Sequence, residues 1–321
     1  MIELIAVLAL AAALYMGWNL GSNDAANCIG TAVGGGILSL RRAVVLVGFF
    51  ALLGAVISGG AVIETFSGGV IPPESVTAQV AFIAAISAGS FVTLATYSKF
   101  PVSTTHAIIG AMLGVGLAMS VAINWSTIGK MGIVWVGTPT VAMALGFVIY
   151  KSVGKALGRI KKLATANLVL KILVVVSGCY AAYSLGANNI GNVTGLIAGA
   201  KDIAIPMVVA ALIGGIAIMV GVITWGGKVI ETVGKGMTVI DPAMAFSAQL
   251  STALVLHIYS MVGMPTSASH AIIGAIIGVG FVKGMRTVNM KLAQKIVIAW
   301  VLTPVVAAVV GFTLFRVAGL F

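Results

Sequence analysis

Read as hydrophobic and polar positions, the chain is a succession of long apolar runs separated by short polar interruptions. The runs at 4–20, 43–63, 131–150, 204–225 and 296–315 are nearly continuous. About 18 or more apolar residues in a row is the length at which a helix crosses the hydrocarbon core of a bilayer. No water at that depth solvates free backbone, so the pattern predicts an all-α integral membrane protein. The first run carries the acidic Glu3, has no basic leading segment and shows no small-residue cleavage site. It reads as a retained span, not a signal peptide.

The polar interruptions occur twice. Leu20-Gly21-Ser22-Asn23-Asp24-Ala25-Ala26-Asn27 returns as Leu185-Gly186-Ala187-Asn188-Asn189-Ile190-Gly191-Asn192, and Pro101-Val102-Ser103-Thr104-Thr105-His106 returns as Pro265-Thr266-Ser267-Ala268-Ser269-His270. Weaker echoes keep the same order: Ile63-Glu64-Thr65 with Ile230-Glu231-Thr232, and Trp135, Thr138 and Pro139 with Trp300, Thr303 and Pro304. Landmarks in one order at nearly constant separation are the mark of a duplicated membrane fold. The expected division is a first repeat over 1–150, a connector over 151–165 and a second repeat over 166–321.

Composition agrees. At 60% hydrophobic and 8% charged, the 321 residues hold too little polar surface for a soluble globule, where roughly 25% are charged. The net charge of +11 does not read as nucleic-acid binding, because the basic residues are sparse and lie between apolar runs. They mark topology instead. Lys151, Lys155, Arg159, Lys161 and Lys162 make the connector cytoplasmic by the positive-inside rule. Residues 61–75 hold Glu64 and Glu74 but no base, whereas the matching 226–240 holds Lys228 and Lys235; 117–129 is uncharged, whereas 281–291 holds Lys283, Arg286 and Lys291. Matching loops thus face opposite sides, as inverted repeats require. The expectation is a multi-pass protein of the cell (inner) membrane with both termini extracytoplasmic. Cys28 and Cys179 sit in apolar segments at unmatched positions and read as free thiols.

Polar groups at bilayer depth are costly and mark function by default. Ser103-Thr104-Thr105 and Ser267-Ala268-Ser269 each follow a Pro and open an apolar, Gly-containing run. Ser and Thr are strong N-caps, and a helix starting in mid-membrane offers unpaired N–H groups and a positive dipole end, which is an anion site. The Asn-rich motifs offer hard oxygen ligands of the kind sodium takes: Asn23, Asp24 and Asn27 from one half, Asn188, Asn189 and Asn192 from the other. Gly21 and Gly186 are expected to permit tight turns there. Asp24 has no acidic counterpart, its match being Asn189, and serves as a cation ligand or a proton carrier. Glu64, Glu231 and Gln249 are secondary candidates, with Gln79 weaker. His106 and His270 are expected to orient the helix openings through hydrogen bonds; as two distant histidines without a thiolate cluster they do not read as a metal site. His257, matching Thr93, reads as structural.

The motifs GSNDAAN at 21–27, GANNIGN at 186–192, PVSTTH at 101–106 and PTSASH at 265–270 resemble those of the inorganic phosphate transporter (PiT) family, in that family's order and over essentially the whole chain. The resemblance implies about twelve membrane segments in two inverted repeats with re-entrant or broken helices, and phosphate uptake driven by sodium or protons. It places the anion on Ser103, Thr104, Thr105, Ser267, Ala268 and Ser269 with Asn23 and Asn188, and sodium on Asp24, Asn27, Asn189 and Asn192 with the same two asparagines. Two departures stand out: Asn189 where the family's second copy has Asp, and Ala268 in place of a hydroxyl residue. The family also contains sulfate carriers, so fold alone does not name the anion.

The expected function is alternating-access symport of phosphate, with no enzymatic activity, no cofactor beyond coupling sodium ions, the lipid bilayer as surroundings and a homodimer as assembly. The competing readings are proton coupling, sulfate as substrate, a passive anion channel and an intramembrane hydrolase. A channel gains nothing from Asp24; a hydrolase needs one nucleophile, not a duplicated Ser/His, and no G-x-S-x-G is present.

Overall fold

The computed structural model describes residues 2–98, 102–230, 241–284 and 290–319, and these hold helices and no strand. In chain order the helices are α1 (Ile2–Gly34), α2 (Leu40–Ser58), α3 (Gly60–Gly68), α4 (Ala78–Tyr97), α5 (Thr104–Ala118), α6 (Trp125–Leu157), α7 (Leu163–Gly199), α8 (Met207–Gly221), α9 (Pro242–Met261), α10 (Ala268–Lys283) and α11 (Met290–Ala318). After α8 a π-turn at Val222–Gly226 carries the helical path on to Ile230. Among the described residues, 7 helical stretches are long and apolar enough to cross a membrane, and α5 and α10 are shorter apolar helices. At 1.5 Å per residue α5 reaches about 22 Å, short of a hydrocarbon core of about 30 Å. Large apolar side chains such as Ile133, Val136 and Val148 on α6, and Val301, Val305 and Val309 on α11, face outward. That surface belongs in lipid.

The halves interlock. α4 and α5 form a hairpin, yet α5 packs along α11 from the far end of the chain; α9 and α10 form the matching hairpin, and α10 packs along α6. The remaining helices pack around α7, which touches α1, α2, α3, α8 and α9. The crossed pairs are close because small residues face each other. A methyl added at Gly110 would sit 2.3 Å from the Pro304 oxygen, and one at Gly274 would sit 2.2 Å from the Pro139 oxygen.

Gly21 and Gly186 do not make turns. Both motifs run inside unbroken helix, in α1 and α7. A methyl on Gly21 would lie 2.0 Å from the Ile218 oxygen of α8, and one on Gly186 would lie 1.9 Å from the Ala51 oxygen of α2. These glycines serve close packing, which leaves the intervening Asn and Asp side chains on a rigid helix.

Gly274→Ala forces a methyl against backbone that has nowhere to retreat, and we expect a loss of roughly 1–3 kcal/mol in thermal unfolding of the detergent-solubilised protein. Gly154→Ala on α6, where nothing lies within 4 Å of the added methyl, should be neutral or slightly stabilising.

Candidate functional site

Ser103 and Ser267 precede α5 and α10 with extended backbone, and the Oγ of each accepts a hydrogen bond from the N–H three residues on: His106 N at 3.2 Å and His270 N at 3.4 Å. Each cap satisfies one N–H of its first turn and leaves the others directed past the helix end. Ser103, Thr104, Thr105, Ser267, Ala268 and Ser269 are all buried, as are Asn23, Asp24, Asn27, Asn188, Asn189 and Asn192, none above 4% exposed.

Hydrogen bonds link many of these groups across the chain. Thr104 Oγ1 donates to Asp24 Oδ2 at 2.7 Å, and Asn27 Nδ2 donates to Asp24 Oδ1 at 3.2 Å. The next residue of α5, Thr105, crosses to the other half: its hydroxyl lies 3.1 Å from Asn189 Oδ1 and 2.9 Å from Thr266 O, and accepts from Asn192 Nδ2 at 3.0 Å. Asn192 Nδ2 also reaches Asn189 Oδ1 at 2.9 Å. Asn188 grips the segment before α10, accepting from Thr266 N at 2.9 Å and donating to Met264 O at 3.2 Å. Ser267 and Ser269 hydroxyls pair at 2.9 Å. Asn23 Nδ2 donates to Thr96 Oγ1 at 2.8 Å. The Oδ1 atoms of Asn23 and Asn192 are buried without a partner among the described residues. Two capped helix starts, one carboxylate and five amides therefore converge in a space closed to bulk water. Such a place suits an anion with a hard cation beside it.

Behind the helix starts, the histidines solve a problem set by proline. Pro139 in α6 and Pro304 in α11 have no N–H, so the carbonyls four residues earlier, Trp135 O and Trp300 O, lose their helical donors. His270 Nδ1 meets Trp135 O at 3.0 Å, and His106 Nδ1 meets Trp300 O at 2.8 Å. A carbonyl only accepts, so Nδ1 carries the proton in both rings. The expectation of two distant histidines fails. Their ring centroids lie 4.6 Å apart, His106 lies against Trp135 and His270 against Trp300.

The two hairpin tips differ. Thr65 of α3 donates its hydroxyl to Gly263 O at 2.6 Å, sealing the α9–α10 tip, where Gly263 takes φ +68°. Beside the end of α4 lies a cavity of 340 Å³ lined by Thr96, Tyr97, Trp225, Lys228 and Val229.

Not every candidate joins the cluster. Glu64 is exposed on α3 and Gln79 is exposed on α4; an apolar neighbourhood did not draw either inward. Gln249 is buried but bonds Thr31 at 2.9 Å and Ser177 at 2.8 Å, neither of them a motif residue. Glu231 lies outside the described residues. His257 is structural, bonded through Nδ1 to Tyr180 OH at 2.8 Å, and Thr93 at its matched position pairs with Tyr15 OH. Cys28 and Cys179 are free. Sequence reasoning missed Thr96, Thr266 and Thr138, the last two joined through their hydroxyls at 2.5 Å. Thr266 and Thr138 stand inside the repeated motifs, which was the available signal; Thr96 offered none.

Comparison with known proteins places the whole chain in one group of relatives. A family model described as the phosphate transporter family matches residues 20–311. A Pyrococcus furiosus protein whose name provisionally assigns it as a phosphate permease is 29% identical, over 94% of this chain and 93% of its own length. An Arabidopsis thaliana protein named inorganic phosphate transporter 2-1, chloroplastic, is 26% identical, over 95% of this chain and 71% of its own. A solved structure titled as the sodium-dependent phosphate transporter superposes with a TM-score of 0.91 at 28% identity, covering 99% of each chain.

The proline–histidine contacts can be tested by a double-mutant cycle. His106→Leu strands Trp300 O and should cost about 1–3 kcal/mol of stability. Pro304→Ala returns an N–H to that carbonyl, so the double variant should recover about 1 kcal/mol of that loss in thermal unfolding.

Proposed function

Because the chain belongs to the phosphate transporter family, we propose that it takes up inorganic phosphate by cation symport, with sodium as the coupling ion, alternating access around the buried cluster. The observation that carries this reading is the pair of Ser-capped helix starts, α5 and α10, set against the Asn and Asp side chains of α1 and α7. Phosphate oxygens take the free N–H groups of both helix starts and the hydroxyls of Ser103, Ser267 and Ser269, with the backbone N–H alone at Ala268 and at Thr104 and Thr105, whose hydroxyl protons are already given to neighbours. Sodium takes oxygens of the Asn/Asp motifs, Asp24 above all. Likeness to the solved sodium-dependent phosphate transporter supports sodium over protons.

Coupling then follows from electrostatics. Phosphate entering alone would meet the Asp24 carboxylate and lose hydration worth several kcal/mol per charge; a cation on Asp24 turns that repulsion into attraction. In this reading the halves are inverted repeats totalling about twelve segments when short and re-entrant pieces are counted, the connector 151–165 is cytoplasmic and both termini are outside. The sealed tip at Thr65–Gly263 and the cavity at Thr96–Lys228 then represent a closed outer and an opening inner side of one rocking cycle. A homodimer is the assembly we assign. Glu64 has no part in the site.

The test is uptake of labelled phosphate into proteoliposomes under an imposed sodium or proton gradient, with sulfate as competitor. We expect accumulation with inward sodium and indifference to sulfate. Asp24→Asn should abolish the sodium dependence, and Ser103→Ala or Ser267→Ala should raise the half-saturating phosphate concentration about tenfold, the loss of a charge-assisted hydrogen bond. Accumulation driven by protons alone, or unchanged sodium dependence in Asp24→Asn, rejects the assignment.

A further inference from the structure

The two halves differ at a pair of positions that touch each other. Asp24 matches Asn189, and Thr104 matches Ala268. In the first half the carboxylate and the hydroxyl are bonded, Thr104 Oγ1 donating to Asp24 Oδ2 at 2.7 Å. In the second half both members are replaced: the charge by an amide, the hydroxyl by a methyl. The charge and its partner are present together or absent together.

The bonding of each half explains what that does. Having given its proton to Asp24, Thr104 Oγ1 keeps its lone pairs, and the carboxylate has acceptor sites beyond the two that Thr104 and Asn27 occupy. Asn23 Oδ1, one residue earlier on α1, is buried without a partner among the described residues. The first half thus offers a full charge and several uncommitted oxygens, which is what a hard cation requires. In the second half Asn189 Oδ1 accepts from Asn192 Nδ2 at 2.9 Å and faces Thr105 Oγ1 at 3.1 Å, while Asn189 Nδ2 donates to Leu185 O. Asn188 Oδ1 is held by Thr266 N, and Thr105 Oγ1 itself accepts from Asn192. Among the described residues Asn192 Oδ1 is the one buried motif oxygen there without any partner, and unlike Asp24 none of the oxygens there carries a charge. A cation in that place would be desolvated with no countercharge.

We propose that the coupling cation binds in the first half only, on Asp24, Thr104 and Asn23, and that Thr105–Asn189–Asn192 closes the matching place with hydrogen bonds internal to the protein. This rests on the symport reading above. The chain then binds one cation fewer per phosphate than its twofold frame could hold, and that second place is recoverable by restoring both changed residues.

The experiment is phosphate binding by purified protein as a function of sodium, with bound radioactive sodium counted at equilibrium. In the wild type we expect a Hill coefficient of about 1 for sodium, and in Asn189→Asp/Ala268→Thr about 2 with one more sodium bound. A wild-type coefficient near 2 overturns the inference while leaving symport standing, and this titration decides even if the double variant fails to fold. An unchanged sodium count in a double variant that melts normally and binds phosphate also overturns it. Wild-type phosphate binding indifferent to sodium removes the symport reading, and this inference with it.

Discussion

A proline within a buried helix leaves a carbonyl without its donor, and in a bilayer no water stands ready to replace it. Here two such carbonyls, at Trp135 and Trp300, are met by His270 and His106 from the opposite halves of the chain. Each histidine stands in the first turn of the helix whose start is capped by Ser267 or Ser103. Satisfying the backbone of the long helices therefore fixes where the two short ones begin. The glycines at 110 and 274 complete this by letting the same proline turns approach to contact distance. The placement of the candidate site is a by-product of a debt incurred by proline and settled between the two halves of the chain.

The same economy shapes the cluster in front of the helix starts. Its side chains are buried and bonded mainly to one another, so the charge on Asp24 is held by a hydroxyl and an amide, not by a basic residue. A neutral cradle of this kind leaves the net charge of the place to be set by what enters it. An Arg or Lys beside Asp24 would satisfy the carboxylate permanently and, under the proposed symport, remove the reason for cation and anion to travel together.

Much of this was legible beforehand because duplication writes the important residues twice. The Ser caps, the Asn and Asp motifs and the histidines all stood out as repeated polar words in apolar text, and the chain brings them together. What stayed hidden depends on three-dimensional neighbours. A glycine that admits a turn and one that admits another helix read the same, so Gly21 and Gly186 misled. The partner carbonyls of His106 and His270 were implied by Trp135-x-x-x-Pro139 and Trp300-x-x-x-Pro304, but the pairing across halves was not. Glu64 looked eligible by repetition alone, yet α3 turns it outward.

The interlock of the halves also sets a timetable. α5 leaves the ribosome long before α11, which supplies the surface it packs on, and at roughly 5–20 residues per second the interval from residue 118 to 290 is about ten to thirty seconds. During that time a short apolar helix with a stranded histidine waits in or near the insertion machinery without its mate. α6 waits too, for α10. The α4–α5 hairpin therefore cannot settle until the last helix is made, and truncations late in the sequence are felt first by helices made early.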